Sequence, residues 1–223
     1  MKDGKQIGNA KNLSESARVY IHAGDASSNI KLKVKINASE LLEKEALGAN
    51  DSAQAKSSNP YFWLDPLSVK LVAAKLSDSL QKVFPDYAED IKVNSENFSK
   101  KLDLLYKQSL KLLPNSNGKK IIVLTIGFEY FTNRYGINIL ANLNRGAEYK
   151  IEGSKQLEST HSKMEGEMIK VVGLETNILP IDKEISFALK TNLFYLDIYG
   201  KDNQRKYSDF FLNLVRRMQR IIN

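Results

Sequence analysis

Hydrophobic positions change their spacing along this chain, and each spacing predicts a different kind of element. Val19 and Ile21 alternate with Arg18 and Tyr20, and Leu32, Val34 and Ile36 alternate with Lys31, Lys33 and Lys35. A period of two turns one face of a strand to a core and the other to water, so two half-buried strands are expected. The stretch up to Glu15 has no apolar period and reads as a frayed tail. Ser39 precedes a short helical run through Leu41, Leu42 and Leu47, and the Ala-, Ser- and Asn-rich segment Gly48 to Asn59 reads as a surface loop.

Beyond Asn59 the step lengthens to three and four. Asp65 stands at an N-cap and Pro66 at the first helical position, where a missing N–H costs nothing. Val69, Val72, Leu76, Leu80 and Val83 then form one apolar stripe on a helix that ends near Phe84 and is stopped by Pro85. A second, longer helix carries Tyr87, Ile91, Phe98, Leu102, Leu105 and Leu112, with polar Asn94 interrupting the stripe, and Pro114 to Gly118 closes it. One modest stripe on so long a helix suits a segment that spans two lobes.

From Lys119 short apolar runs alternate with helical stretches. Ile121 to Leu124 and Val171 to Leu174 are unbroken, as strands covered on both faces are. Ile137 to Leu140 and Leu193 to Leu196 predict two more strands. Helices are expected over Phe128 to Tyr135, Leu157 to Lys170, Asp182 to Lys190 and Tyr207 to Ile222, the last with Phe210, Phe211, Leu214, Val215, Met218 and Ile221 at helical spacing. This alternation predicts an α/β fold, a mainly parallel sheet flanked by helices.

Composition narrows the chemistry. With 42% hydrophobic and 26% charged residues among 223, the chain has material for a core and is not a disordered polymer. No cysteine occurs, which excludes disulfides, thiolate metal sites, iron–sulfur clusters and cysteine nucleophiles. His22 and His161 are the only histidines, so one chain cannot build an all-histidine cage. The net charge of +7 is scattered over Lys31, Lys33 and Lys35, Lys100 and Lys101, and Arg216, Arg217 and Arg220. Each group lies beside an apolar face and reads as a solvated surface, so no nucleic-acid partner is expected. No apolar run reaches the roughly twenty residues of a membrane span, and Met1 to Asn12 lacks the apolar core of an export signal. There is no phosphate loop, dinucleotide glycine motif, nucleophile elbow or nucleophile–base pair, so an enzyme is not expected.

The most informative string is Asn59-Pro60-Tyr61-Phe62-Trp63-Leu64-Asp65-Pro66. It resembles the signature of the metal-binding solute receptors of ABC importers, the ZnuA-like zinc and manganese family, which usually reads proline, histidine, a hydrophobic residue, tryptophan, leucine, aspartate, proline. Phe128-Glu129-Tyr130-Phe131 with Tyr135-Gly136, and Tyr195-Leu196-Asp197 with the closing helix, are similar to later segments of that family. The resemblance implies two α/β lobes joined by a rigid helix with the ion between them. On it, residues 1–84 are a partial N-terminal lobe, 85–115 the linker helix and 116–223 the C-terminal α/β lobe. The opening of the first lobe and the export signal are expected to be missing from a shortened chain.

The resemblance also implies a ligand set. The family's first ligand, a histidine, falls on Tyr61, and its second, also a histidine, on Thr125. Its glutamate falls on Glu175 and its aspartate on Asp197. Two acidic ligands are therefore kept and both imidazoles lost, an oxygen-rich set that suits manganese better than zinc. Strand-end carboxylates are common in α/β folds, so structural or solvated roles for Glu175 and Asp197 stand equally open. Asp65 reads as a helix cap, Trp63 as a packing anchor, His161 as a surface residue, and the Phe128, Tyr130, Phe131 and Tyr135 cluster as core. The expected function is the extracytoplasmic solute-binding component of a zinc- or manganese-type importer, partnered by a permease, with metal binding weakened or lost. The alternative is an interaction or adhesion module, or a non-functional copy.

Overall fold

The computed structural model describes residues 18–19, 36–37, 59–143, 154–200 and 206–223. They fall into two units, Met1–Leu102 and Asp103–Asn223. The expected frayed tail, the helix after Ser39, nearly all of the Gly48 to Asn59 loop and His22 lie outside the described residues.

In the first unit, β1 (Arg18–Val19) pairs antiparallel with β2 (Ile36–Asn37), Val19 facing Ile36. A 3-10 turn over Phe62–Leu64 leads into α1 (Pro66–Val83). Asp65 caps that helix as its sequence predicts. Its Oδ1 accepts the Leu67 N–H at 3.1 Å, and its Oδ2 accepts the Ser68 N–H at 3.2 Å and the Ser68 hydroxyl at 2.7 Å. The residue is 2% exposed, so these bonds compete little with water. Of the predicted stripe, Val72 is buried with Phe62 packed on it, whereas Val83 at the helix end is exposed. Asp65→Ala should therefore cost about 1–2 kcal/mol, and Asp65→Asn less, because the amide oxygen still caps. Denaturant titration followed by the fluorescence of Trp63, the chain's one tryptophan, checks this locally. Equal midpoints for Asp65→Ala and the parent would refute it.

Pro85 opens a 3-10 turn, Pro85–Tyr87, and α2 (Ala88–Leu112) follows. The boundary between the units falls inside this helix, at Leu102 and Asp103. Its predicted stripe is only partly used. Leu102 and Leu105 are buried, but Tyr87 is 63% and Phe98 38% exposed. Helical spacing fixes which residues share a face; whether that face is covered depends on contacts remote in sequence.

The second unit follows the predicted alternation: β3 (Lys120–Val123), α3 (Glu129–Tyr135), β4 (Asn138–Asn142), α4 (Lys155–Lys163), β5 (Val171–Leu174), α5 (Ile181–Ala188), β6 (Leu193–Leu196) and α6 (Tyr207–Ile222). The strands form one parallel sheet in the order β4-β3-β5-β6. Central β3 and β5 hold the unbroken apolar runs, and Ile121, Ile122, Val123, Val171 and Val172 have no exposed surface, as expected of strands covered on both faces. Gly136, at φ 66°, ends α3 in the left-handed conformation that favours glycine. One expected helix is shorter than its composition suggested. It ends at Lys163 rather than Lys170, because Glu165 (φ 52°) and Gly166 (φ 81°) take left-handed conformations that an α-helix cannot continue through. On α6 every residue of the predicted stripe is buried. Phe211 lies 6.1 Å from Phe131 and 5.8 Å from Tyr207, ring centre to ring centre. Phe128, Phe131 and Tyr135 are buried as well, whereas Tyr130 is only half-buried, so three of the four aromatic residues expected in the core lie there.

Candidate functional site

Parallel register decides which residues leave the sheet together. Gly173 pairs with Tyr195 and Leu174 with Leu196, so the next residues, Glu175 and Asp197, leave β5 and β6 side by side. The Glu175 N–H still donates to the Leu196 carbonyl at 3.1 Å. On the other side of β5, Val123 of β3 pairs with Val172, and the Leu124 N–H donates to the Val172 carbonyl at 3.0 Å. Thr125 thus leaves β3 at the same edge. Thr125, Glu175 and Asp197 stand at the carboxyl ends of three consecutive strands, where open α/β sheets keep their ligand crevices. Tyr61 belongs to the first unit. Its N–H donates to Asn59 Oδ1 at 2.9 Å, and its ring meets Trp63 edge-on at 5.3 Å. Trp63 also meets Phe62 edge-on at 5.8 Å, which fits a packing anchor before α1.

Both carboxylates have partners. Glu175 Oε1 forms an ion pair with Arg217 Nη2, reaching across from α6, and each side chain is about one-third exposed (31% and 32%). The same guanidinium nitrogen donates to the Tyr195 carbonyl at 2.8 Å. Asp197 Oδ1 accepts the N–H groups of Tyr199 at 2.8 Å and Gly200 at 3.0 Å, closing the turn after β6. Beside these, fully buried Asp182 at the start of α5 accepts the Tyr195 hydroxyl at 2.9 Å and the Leu179 N–H at 3.1 Å through Oδ2. Gly173 makes room for this arrangement, since a Cβ there would sit 2.9 Å from the Tyr195 ring.

Two carboxylates and a hydroxyl are hard oxygen donors, a set that fits manganese better than zinc, which prefers imidazole and thiolate. Among the described residues no three of His, Cys, Asp or Glu converge into a cluster able to hold an ion. His161 is exposed on α4, as a surface histidine. Lys120 has its pKa raised, first by its hydrogen bond to the Glu167 carboxylate (2.8 Å), but it begins β3 and so lies at the opposite edge of the sheet.

Neither the pairing of Arg217 with Glu175 nor the contact of Asp182 with Tyr195 was legible in the sequence. Arg217 sits in a basic cluster with Arg216 and Arg220, which reads as a solvated face, and Asp182 reads as an ordinary helix start. The usable signal for Arg217 was its spacing: three residues after Leu214 and seven after Phe210, it lies at the flank of the buried stripe, where an arginine stem packs and its head group reaches a partner.

Residues 9–222 match the family model ZnuA, described as "Zinc-uptake complex component A periplasmic". The chain is 26% identical over 163 residues to the high-affinity zinc uptake system protein ZnuA of Brucella abortus (strain 2308), which covers 71% of this chain and 48% of that protein. It therefore spans about half the length of this curated relative. Among solved structures, a mutant of the laminin-binding adhesin Lmb from Streptococcus agalactiae superposes with a TM-score of 0.68 at 13% identity, covering 84% of this chain and 70% of that one. The solute-binding protein FpvC of Pseudomonas aeruginosa, in complex with Mn2+, superposes at 0.62 and 17% identity, covering 78% and 66%. At these identities the structural likeness is one of fold.

Proposed function

This chain belongs to the ZnuA family of periplasmic zinc-uptake components, and on that premise we propose that it serves as the ion-capturing member of an ABC importer. The family is one of uptake components rather than enzymes. On this reading the protein works outside the cytoplasm, holding a divalent cation and handing it to a membrane permease without chemistry of its own. Glu175 and Asp197 supply the charge, and the Thr125 hydroxyl supplies a neutral oxygen. The observation that carries the proposal is the pairing of Leu174 with Leu196, which sets the two carboxylates on adjacent strand ends. The absence of imidazole from these positions, together with the Glu175–Arg217 pair, supports a weakened site that takes manganese in preference to zinc.

Metal content and thermal shift of the purified chain, with added manganese or zinc, test this. The control is Glu175→Ala/Asp197→Asn, in which asparagine keeps the turn acceptor for Tyr199 and Gly200 and removes the charge. Binding to the native state at a hundredfold excess over Kd should add about 2.7 kcal/mol, which for a chain of this size is roughly 5–10 °C in Tm. The double variant should show neither the ion nor the shift. An equal shift in parent and double variant, or no ion in the parent, would sink the reading.

A further inference from the structure

Arg217 is joined to the proposed ion ligand Glu175 by an ion pair, and its position suggests more than a surface contact. Its Nη2 joins Glu175 Oε1 to the Tyr195 carbonyl, so a single positive head group is fixed to the end of β6 and to the first carboxylate beyond β5 at once. We infer that Arg217 sets the affinity of this site: a resident guanidinium that occupies Glu175 and that a divalent cation must displace or share with. The inference rests on the proposed reading of Glu175 and Asp197 as ion ligands.

Two effects act in the same direction. A cation that takes Glu175 Oε1 has to break a charge-assisted hydrogen bond already in place. A cation that takes the other carboxylate oxygen leaves that bond intact but sits within a few ångströms of a fixed positive charge, and like charges at that range repel. The bond to Tyr195 keeps the head group at the strand end and stops it swinging freely into solvent. The result is a threshold: the site fills only when the ion is abundant or its bond to oxygen strong enough to outcompete the guanidinium.

A purely structural role for Arg217 makes the opposite prediction. Removing it would leave the Tyr195 carbonyl without that donor, loosen the strand end and weaken ion binding. The two roles therefore separate by the sign of the change in affinity.

The experiment is calorimetric titration of the full chain with manganese chloride, and then zinc chloride. It compares the parent with Arg217→Gln, Arg217→Lys and Arg217→Gln/Glu175→Ala, each first shown to melt cooperatively. Arg217→Met, which keeps the apolar stem, replaces the glutamine variant if that one fails to fold. Neutralising Arg217 should lower Kd about tenfold, the lysine variant should stay near the parent, and the gain should vanish when Glu175 is also removed. Binding that appears only in Arg217→Gln supports the inference and overturns the cargo reading for the parent. If the parent binds but Arg217→Gln binds equally or more weakly, the inference is overturned and the receptor reading stands. No binding in any form overturns both.

Discussion

Truncating Phe211 to alanine should destabilise the second unit by about 3–5 kcal/mol, the range for emptying a large aromatic site in a packed core. Phe211 has no exposed surface, and its ring meets Phe131 at 6.1 Å and Tyr207 at 5.8 Å. Phe131 in turn lies 4.8 Å from Tyr135, whose hydroxyl hydrogen-bonds Ser109 Oγ near the end of α2. The loss therefore falls on a chain of rings that ties α6 to α3, beyond the apolar area of one side chain. Phe187→Ala on α5 provides the contrast: the same atoms are removed from a residue that is 85% exposed, so the change should stay within about 0.5 kcal/mol. Denaturant titration by far-ultraviolet circular dichroism should show a large fall in midpoint for Phe211→Ala, an unchanged slope, and almost no shift for Phe187→Ala. Equal costs for the two would mean that α6 is not docked through this ring.

The elements legible in the sequence are those whose causes are local or leave a one-dimensional trace. Asp65 followed by Pro66 announces a helix start because the bonds involved reach only Leu67 and Ser68. Ile121 to Leu124 and Val171 to Leu174 announce central strands because covering both faces removes any reason for alternation. The stripe of α6 was complete because its whole apolar face is buried. The stripe of α2 was a poorer guide, since Leu102 and Phe98 share its spacing and only Leu102 is covered. The early end of α4 was only half legible. Gly166 is a helix-stop residue in the sequence, but Glu165 takes a positive φ that its residue type does not advertise.

The candidate site divides along the same line. Glu175 and Asp197 were visible because a strand pattern ends just before each, and a family resemblance selected them. Their adjacency needed the order β3-β5-β6 and the pairing of Leu174 with Leu196, which no local pattern contains. The Arg217 pair needed the docking of α6 as well. Neither Asp182 nor Gly173 carries a local signal of its contact with Tyr195, because that ring comes from another strand.

That ring sets the second large expectation. Gly173→Val should cost about 2–5 kcal/mol, from overpacking and from a buried hydrogen bond left unmade. A Cβ at Gly173 would stand 2.9 Å from Tyr195 Cε1 and 3.0 Å from Cδ1, closer than carbon atoms pack, with Leu124 Cδ1 at 3.4 Å on another side. The ring must then leave, and with it goes the hydroxyl that Tyr195 donates to fully buried Asp182. Valine's better strand propensity opposes this, but it is worth only about 1 kcal/mol. Tyr195 also lends its carbonyl to Arg217, so a displaced Tyr195 loosens the guanidinium's hold at the strand end. A double-mutant cycle with Tyr195→Ala isolates the cause. If the ring is what Gly173 accommodates, valine should cost at least about 1 kcal/mol less once the ring is gone, a coupling well above the error of additivity for distant sites. Additive costs would instead assign the need for glycine to Leu124 and the β5 backbone.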